Sequence, residues 1–438
     1  MKKLLLIQPS PYDRQGQPIK KARLHFVGLA LPTLAALTPP GWEIELCLET
    51  IEPVPFNTDA TLIGISSMGH AVMRTLDIAK EFRRRGKTVV VGGYMVSLMP
   101  EEAQKHCDSV VIGDAEGVWA QLVSDFEAGS LQPVYQKKLP ALTTPVPRYD
   151  LLLNKKIGRF LPVQAGRGCP NCCSFCSVYC LYRGQYLRRP LEEVVRDIRQ
   201  IKSLGFHQFL LLDDNILADP MYLRALCTEI ETLGMTWLSQ CSIEIGRDTD
   251  LLSMLARSGC RILSFGLESI SKESLDAMDK SWADPADYPM LIRQVQEAGI
   301  DVSTEMVVGA DGDTLDSIKE TAEFVKKCRI AVPRFYILTP IPGTDFYHSM
   351  HAQGRICNED IYSYNGTEAV HVPRHMTASE LTEAYWDLYR DVFSLSNIAM
   401  RTLFRKESLS HPGRSLSYLI ANLYYRYSIN RGITPNIY

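Results

Sequence analysis

Apolar positions along this chain fall into two alternating rhythms. Short runs with few polar interruptions, Lys3–Gln8, Leu62–Ser66 and Thr88–Val91, have the length and composition of buried strands. Between the last two, Met73, Leu76, Ile78, Ala79 and Phe82 recur near the helical period and predict a helix over Met73–Arg85. From Phe160 onward the alternation becomes regular. Strands are expected at Phe160–Ala165, Gln208–Leu212, Trp237–Ile243, Ile262–Leu267, Asp301–Val308 and Arg334–Thr339. Helices are expected between them at Leu191–Leu204, Pro220–Leu233, Thr249–Ser258, Tyr288–Ala298 and Leu315–Lys327. Such alternation predicts the α/β class with parallel sheets. The second stretch amounts to six β/α units, too few to close an eight-unit barrel and suited to an open, partial one. Beyond it, Thr377-Ala378-Ser379-Glu380 is a capping box before a helix over Leu381–Phe393, and Leu416–Ile429 is a further helical segment almost free of charge. The Pro-bearing stretch Pro145–Tyr149 reads as a linker, so the chain divides into residues 1–140, 141–345 and 346–438.

The length of 438 residues and an apolar content of 46% support two or three domains with sizeable cores. A net charge of −3 excludes a general nucleic-acid binder. After Met1-Lys2-Lys3 only Leu4–Ile7 is apolar before Gln8-Pro9, too short for the core of a secretory signal. No run approaches the ~20 apolar residues that span a bilayer. Twelve cysteines in such a chain are expected to be reduced or metal-bound in the cytoplasm rather than disulfide-paired. The tail changes the charge picture locally: Arg401, Arg405, Lys406, Arg414, Arg426 and Arg431 face only Glu407 in acid. A basic, aromatic, apolar tail suits either a membrane surface or a greasy substrate, and equally a helical cap packed on the barrel.

The densest chemistry lies in Gln164–Tyr186, QAGRGCPNCCSFCSVYCLYRGQY. Cys169, Cys173 and Cys176 form a C-x3-C-x2-C spacing after a Gly-Arg-Gly turn. Three thiolates on one short loop suit three irons of a cubane [4Fe–4S] cluster, leaving the fourth iron open. Cys169 with Cys172, and Cys172 with Cys176, leave a structural zinc knuckle as the alternative, although no second cysteine pair completes one. Phe175, beside the last of the three, is placed to shield the cluster edge or stack on a flat ligand.

Loops after parallel strands gather on one side of a sheet, so polar groups there converge on a shared cavity. In the second domain these are Asp213 and Asp214, Ser242 and Glu244, Glu268, Glu305, and the rigid turn Thr339–Thr344 containing Pro340. Glu268 and Glu305 stand in apolar strands, where a carboxylate is rarely buried without a partner; ribose or substrate contacts are expected there in preference to internal ion pairs. In the first domain the strand ends are Ser66-Ser67-Met68 and Gly92-Gly93-Tyr94, where glycine lets a backbone approach a ligand closely.

The run RGCPNCCSFCS resembles the cluster loop of the radical S-adenosylmethionine (SAM) enzymes. With YLRRPLEEVVRDI, FLLLDDNI and the span TLIGISSMGH to GVWAQL, it resembles the branch that carries an N-terminal cobalamin-binding domain. The resemblance implies a Rossmann-like cobalamin-binding domain, a partial (β/α)6 barrel and a C-terminal helical extension. It implies that SAM chelates the open iron and is cleaved to methionine and a 5′-deoxyadenosyl radical. It places the SAM amino group at Asp213-Asp214, the adenine against the turn at Pro340, and further SAM contacts at Phe175, Ser242, Glu244, Glu268 and Glu305. Cobalamin is placed at Ser66, Ser67, Met68, Gly92, Gly93 and Tyr94. One departure stands out: many cobalamin proteins carry a cobalt-ligating His in Asp-x-His-x-x-Gly, where this chain reads Tyr12-Asp13-Arg14-Gln15-Gly16. His25 and His70 are weighed as replacement ligands.

The implied function is methyl transfer to an unactivated sp3 carbon of an apolar small molecule or lipid, with an electron donor such as flavodoxin or ferredoxin as partner. A radical SAM cyclase or ring-rearranging enzyme with the same cofactors, and a non-catalytic cofactor-binding protein, are the alternatives. Peripheral membrane contact through the C-terminal region goes with the apolar substrate.

Overall fold

The computed structural model describes residues 2–13, 15–67, 69–404 and 412–434. Fifteen strands run in chain order: β1 Lys2–Gln8, β2 Leu24–Phe26, β3 Trp42–Leu48, β4 Leu62–Ser67, β5 Thr88–Gly93, β6 Ser109–Ile112, β7 Val134–Gln136, β8 Ile157–Val163, β9 Gly166–Gly168, β10 Tyr186–Arg188, β11 Gln208–Leu211, β12 Thr236–Cys241, β13 Cys260–Glu268, β14 Asp301–Val308 and β15 Val332–Ile337.

The first sheet has the order β3-β1-β4-β5-β6-β7 and is parallel throughout. Both its faces are covered, which explains the unbroken apolar runs. Along β1, Leu4 and Leu6 enter one core, while Leu5 and Ile7 enter another with Leu76, Ala79 and Phe82 of the helix Val72–Arg84. The strands β3, β6 and β7 escaped the sequence reading; β3 alternates Glu43 and Glu45 with apolar residues at an edge, and β7 is only three residues long.

The second sheet is also parallel, ordered β15-β14-β13-β12-β11-β8-β2, with free edges at β15 and β2. Its six principal strands and intervening helices lie within a few residues of the expected positions. The seventh strand was unforeseen. β2 leaves the N-terminal part of the chain and pairs with β8, so residues 1–140 do not form a closed unit. Phe26 stacks on Phe160 at 5.6 Å, and Gly158 lets the strands meet, since a Cβ there would lie 2.5 Å from the His25 carbonyl oxygen.

The C-terminal part is helical. Ala378–Val392 begins at the expected capping box, Thr377 with Glu380, and packs on Leu315–Lys327 and β15. The Tyr389 hydroxyl donates to the Phe335 carbonyl (3.0 Å) and accepts from its N–H (2.9 Å). The last helix, Pro412–Ile429, rests on the barrel through polar contacts: Asn422 donates to the Ala331 carbonyl (3.0 Å), and Arg414 pairs with Asp301 (3.1 Å). Arg405, Lys406 and Glu407 of the basic segment lie outside the described residues.

Candidate functional site

The cluster loop is built by two glycines and a pair of aspartates. β9 and β10 form an antiparallel ribbon that brackets residues 169–185. Gly168 has φ +89°, and a Cβ there would lie 2.0 Å from the Gln185 carbonyl oxygen; one at Gly166 would strike the Tyr186 ring at 2.3 Å. Both positions therefore need glycine. Asp213, at the end of β11, accepts from the Ala165 N–H (2.7 Å) and the Tyr186 hydroxyl (3.0 Å), and Asp214 accepts from the Gly168 N–H (2.7 Å). Asp213 is 1% exposed. It does not open onto a ligand space: its oxygens are committed to the loop, which corrects the expectation that it faces an ammonium. Burial pushes Asp213 up to about 7, against the pull of the amide donors and Tyr186, and raises Asp214 to about 6.

Cys169, Cys173 and Cys176 stand close enough for the charge on one to bear on the others. Burial raises all three thiols, Cys173 to about 12 and Cys176 to about 11, against Lys280 at Cys173 and the Tyr179 and Val178 amides at Cys176. A coordinating metal reverses that balance by taking the thiolate. Among the described residues no group of three Cys, His, Asp or Glu side chains is arranged to hold a metal ion. A zinc knuckle needs four ligands around one ion, whereas a cubane spreads its cysteines over separate irons. Cys172 is exposed, and Cys180 donates to the Gly343 carbonyl (2.8 Å). Asn215, next to Asp214 at the same strand end, links the parts: its Nδ2 donates to Cys169 Sγ (3.8 Å) and its Oδ1 accepts from the Ser242 and Leu217 N–H groups (3.1 Å each).

A cavity of about 1580 Å³ opens where the three parts of the chain meet. Phe175 of the cluster loop, Glu268, Glu305 and the turn residues Thr339 and Ile341 line it, with Pro340 buried between the last two. The carboxylates carry internal partners, contrary to the expectation. Lys280 donates to Glu268 Oε1 (2.8 Å) and to the Gly266 carbonyl (2.6 Å), and Arg334 pairs with Glu305. Glu268 has φ +61° at a register shift between Gly266 and Glu268. Such a bulge re-aims a side chain, and only glycine at 266 leaves room, since a Cβ there would lie 2.5 Å from Glu268 Oε1. Ser242 and Glu244 are not part of this wall. Ser242 caps a short turn, and Glu244 joins Arg247 (2.6 Å) in a surface pair. Their strand ends two residues earlier than expected, so Ser242 caps and Glu244 falls within the following 3₁₀ segment.

The first domain supplies the opposite wall with Tyr12, Lys20, His70, Met73 and Met95. His70 faces this cavity. His25 lies on the exposed edge strand β2, outside both cavities described here. The C-terminal part closes the space with Tyr362, Tyr364, Trp386 and Ile433.

A second cavity of about 240 Å³ sits at the carboxyl ends of β4, β5 and β6, lined by Ser66, Ser67, Gly92, Gly93 and Tyr94 among others; Met68 lies outside the described residues. Ser67 Oγ is buried with no hydrogen-bond partner among the described residues. Gly93 has φ +109°, and a Cβ there would lie 2.1 Å from the Ser67 carbonyl oxygen. The barrel covers this cavity through Gln164, Arg167 and Tyr182. Arg167 pairs with Asp114 (2.7 Å) and Glu116 (2.6 Å), and the Tyr182 hydroxyl donates to Asp114 (2.8 Å). The cluster loop is thereby clamped onto the first domain.

Residues 163–325 match the model of the radical SAM superfamily, and residues 44–123 that of the B12 binding domain. The bacteriochlorophyllide d C-8(2)-methyltransferase of Chlorobaculum tepidum is 30% identical over 408 residues, covering 89% of this chain and 90% of the relative. The chain belongs to the cobalamin-dependent radical SAM methyltransferases. Its cofactors are a [4Fe–4S] cluster, SAM and cobalamin. Two solved structures share the fold. The cobalamin-dependent SAM radical enzyme OxsB, with aqua-cobalamin and SAM bound, covers all of this chain with 73% of its own (TM-score 0.67, 13% identity). The methyltransferase TsrM from Kitasatospora setae, with tryptophan and a SAM analogue, covers 82% with 77% of its own (TM-score 0.64, 17% identity).

Proposed function

We propose that this methyltransferase acts on an unactivated sp3 carbon of a large, mostly apolar ring compound held in the 1580 Å³ cavity. The observation that carries the reading is that the cluster loop, the barrel strand ends and the cobalamin domain all open onto one space, through Phe175, Glu305 and Met95. Its aromatic wall, Tyr336, Tyr362, Tyr364 and Trp386, suits a ring system, and the relative of C. tepidum takes a bacteriochlorophyllide.

When bound, the cluster with SAM supplies a hydrogen-abstracting radical and cobalamin supplies the methyl group. In this reading Cys169, Cys173 and Cys176 hold the cluster, and Asn215 orients Cys169. Glu268 and Glu305 take polar groups of SAM or substrate, held in place by Lys280 and Arg334. Phe175 and the Pro340 turn flank the nucleoside. Ser66, Ser67, Gly92, Gly93 and Tyr94 receive cobalamin: the unpaired Ser67 hydroxyl and the bare Gly93 leave a donor and a space. Trp386 and its neighbours exclude water from the reacting groups. All twelve cysteines are free, which fits a reducing cytoplasm, and a small carrier such as flavodoxin or ferredoxin is the electron donor.

The test is anaerobic reconstitution with iron, sulfide and cobalamin, then mass spectrometry after incubation with a one-electron reductant such as reduced flavodoxin or dithionite, SAM deuterated at its methyl group and a candidate ring substrate. The expected result is 5′-deoxyadenosine with S-adenosylhomocysteine and a product carrying the labelled methyl. Formation of 5′-deoxyadenosine and altered substrate without S-adenosylhomocysteine would replace this reading with a cyclase.

A further inference from the structure

The last helix, Pro412–Ile429, packs on the barrel through a mixed face: it buries Ser415, Asn422, Ser428 and Ile429, sets Leu419 and Tyr425 against the core, and donates from Arg426 to the Phe393 carbonyl (2.9 Å). Leu416, Ile420, Leu423, Tyr424 and Tyr427 are instead 40–60% exposed. Their spacing places all five on one face, about 100° wide. A helix packed only against its own barrel buries that face; this one leaves it outward. Leu395, Leu403 and Phe404 add exposed apolar side chains in the same part of the chain. Contiguous apolar surface of this kind marks a contact.

Charge selects the partner. Residues 394–438 carry six cations and one carboxylate, Glu407; Arg401 is fully buried, Arg414 pairs with Asp301 and Arg426 donates to the Phe393 carbonyl, so among the described residues Arg431 is the cation exposed beside the stripe. Arg431, one turn beyond the stripe, stacks on Tyr427 at 4.9 Å and remains exposed. A two-fold pairing of this face with a second copy offers Arg431 no opposite charge on the stripe. An anionic lipid surface accepts both the apolar stripe and Arg431, with tyrosines at the headgroup level. Gly432, Ile433 and Thr434, which follow the helix after a turn, line the large cavity. The stripe therefore leads to the wall of the space that holds the substrate.

We propose that the outward face of Pro412–Ile429 docks in the plane of an anionic bilayer and sets the cavity beside the lipid from which an apolar substrate enters. This rests on the apolar-substrate reading above. Among the described residues no helix is long and apolar enough to cross a membrane, so the contact is peripheral.

The experiment is flotation of the reconstituted holoenzyme with vesicles of phosphatidylcholine alone and of phosphatidylcholine mixed with phosphatidylglycerol. The parent protein is expected to float with the mixed vesicles, less so at high salt. The combined variant Leu416→Ser, Ile420→Ser, Leu423→Ser, Tyr424→Ser should lose at least about tenfold in bound fraction. Its iron and cobalamin content should be unchanged. The single variant Arg431→Glu gives a second readout by weakening only the anionic-vesicle binding. No flotation of the parent, or equal flotation of both variants, overturns the proposal. A parent dimer in light scattering that the combined variant splits would also overturn it, in favour of self-association. Vesicle binding needs no turnover, whereas methyl transfer to a detergent-dispersed substrate needs no vesicle, so the two readings fail separately.

Discussion

β4 and β5 end in Ser66, Ser67, Gly92 and Gly93, without a charged side chain among them, whereas β13 and β14 present Glu268 and Glu305, each tied to a buried cation. Both sheets are parallel, and both end at a cavity. One cavity is narrow and shaped by what is missing, the Cβ of Gly93 above all. The other is broad and shaped by what has been fixed in place, the Glu268 carboxylate between its bulge and Lys280. The open space over the glycines suits a group held mainly through its outline. The fixed charges suit the polar parts of a ligand that must be oriented.

Removing the sulfur ligands should separate the two mouths most sharply. Cys169→Ala, Cys173→Ala or Cys176→Ala is expected to abolish the iron chromophore while cobalamin content survives; Cys227→Ala should leave both, as read by metal and corrin counting on one sample. Next in size is the clamp. Arg167→Met leaves Asp114 and Glu116 facing each other without their cation, at a cost of about 3 kcal/mol. The expected outcome is a lower melting temperature and loss of both cofactors together, because this residue joins the halves. Gly93→Val should act on one mouth alone, since φ +109° and a 2.1 Å approach to Ser67 leave no room. Corrin binding is expected to fall about tenfold or more with iron content unchanged. Asn215→Ala removes one acceptor shared by two amides and the donor to Cys169, costing about 2 kcal/mol. Its signature is a shifted reduction potential of the cluster with cobalamin spectra unaltered.

The smallest effect concerns pH. Asp213 is raised to about 7 in the folded chain, so folding takes up a proton between the ordinary carboxylate range and neutrality. Stability from this group is therefore highest at low pH, declines as pH rises to about 7, and is level above it. Thermal melts across that window should show the slope in the parent and a flatter line in Asp213→Asn.

Much of the barrel was legible because its strands are buried on both faces and its helices carry one apolar stripe, so local pattern and final environment agree. The three cysteines were legible from spacing on one loop. Asp213 was misjudged for a physical reason: a carboxylate at a strand end reads alike whether it meets a ligand's ammonium or the chain's own amides. Only the fold brings Ala165 N–H and Tyr186 to it. Ser242 and Glu244 slipped past the cavity because their strand ends two residues earlier than expected.

By itself the sequence determined the two kinds of periodicity, the thiol triplet, and the glycines and serines at β4 and β5, because each depends on neighbours close along the chain. The tertiary structure alone decided that β2 joins the second sheet, that Arg167 clasps Asp114 and Glu116, that Lys280 and Arg334 answer Glu268 and Glu305, and that the last helix turns Leu416 and Leu423 outward. Those contacts join residues from about a dozen to more than a hundred positions apart, and their partners are set by where the backbone carries them.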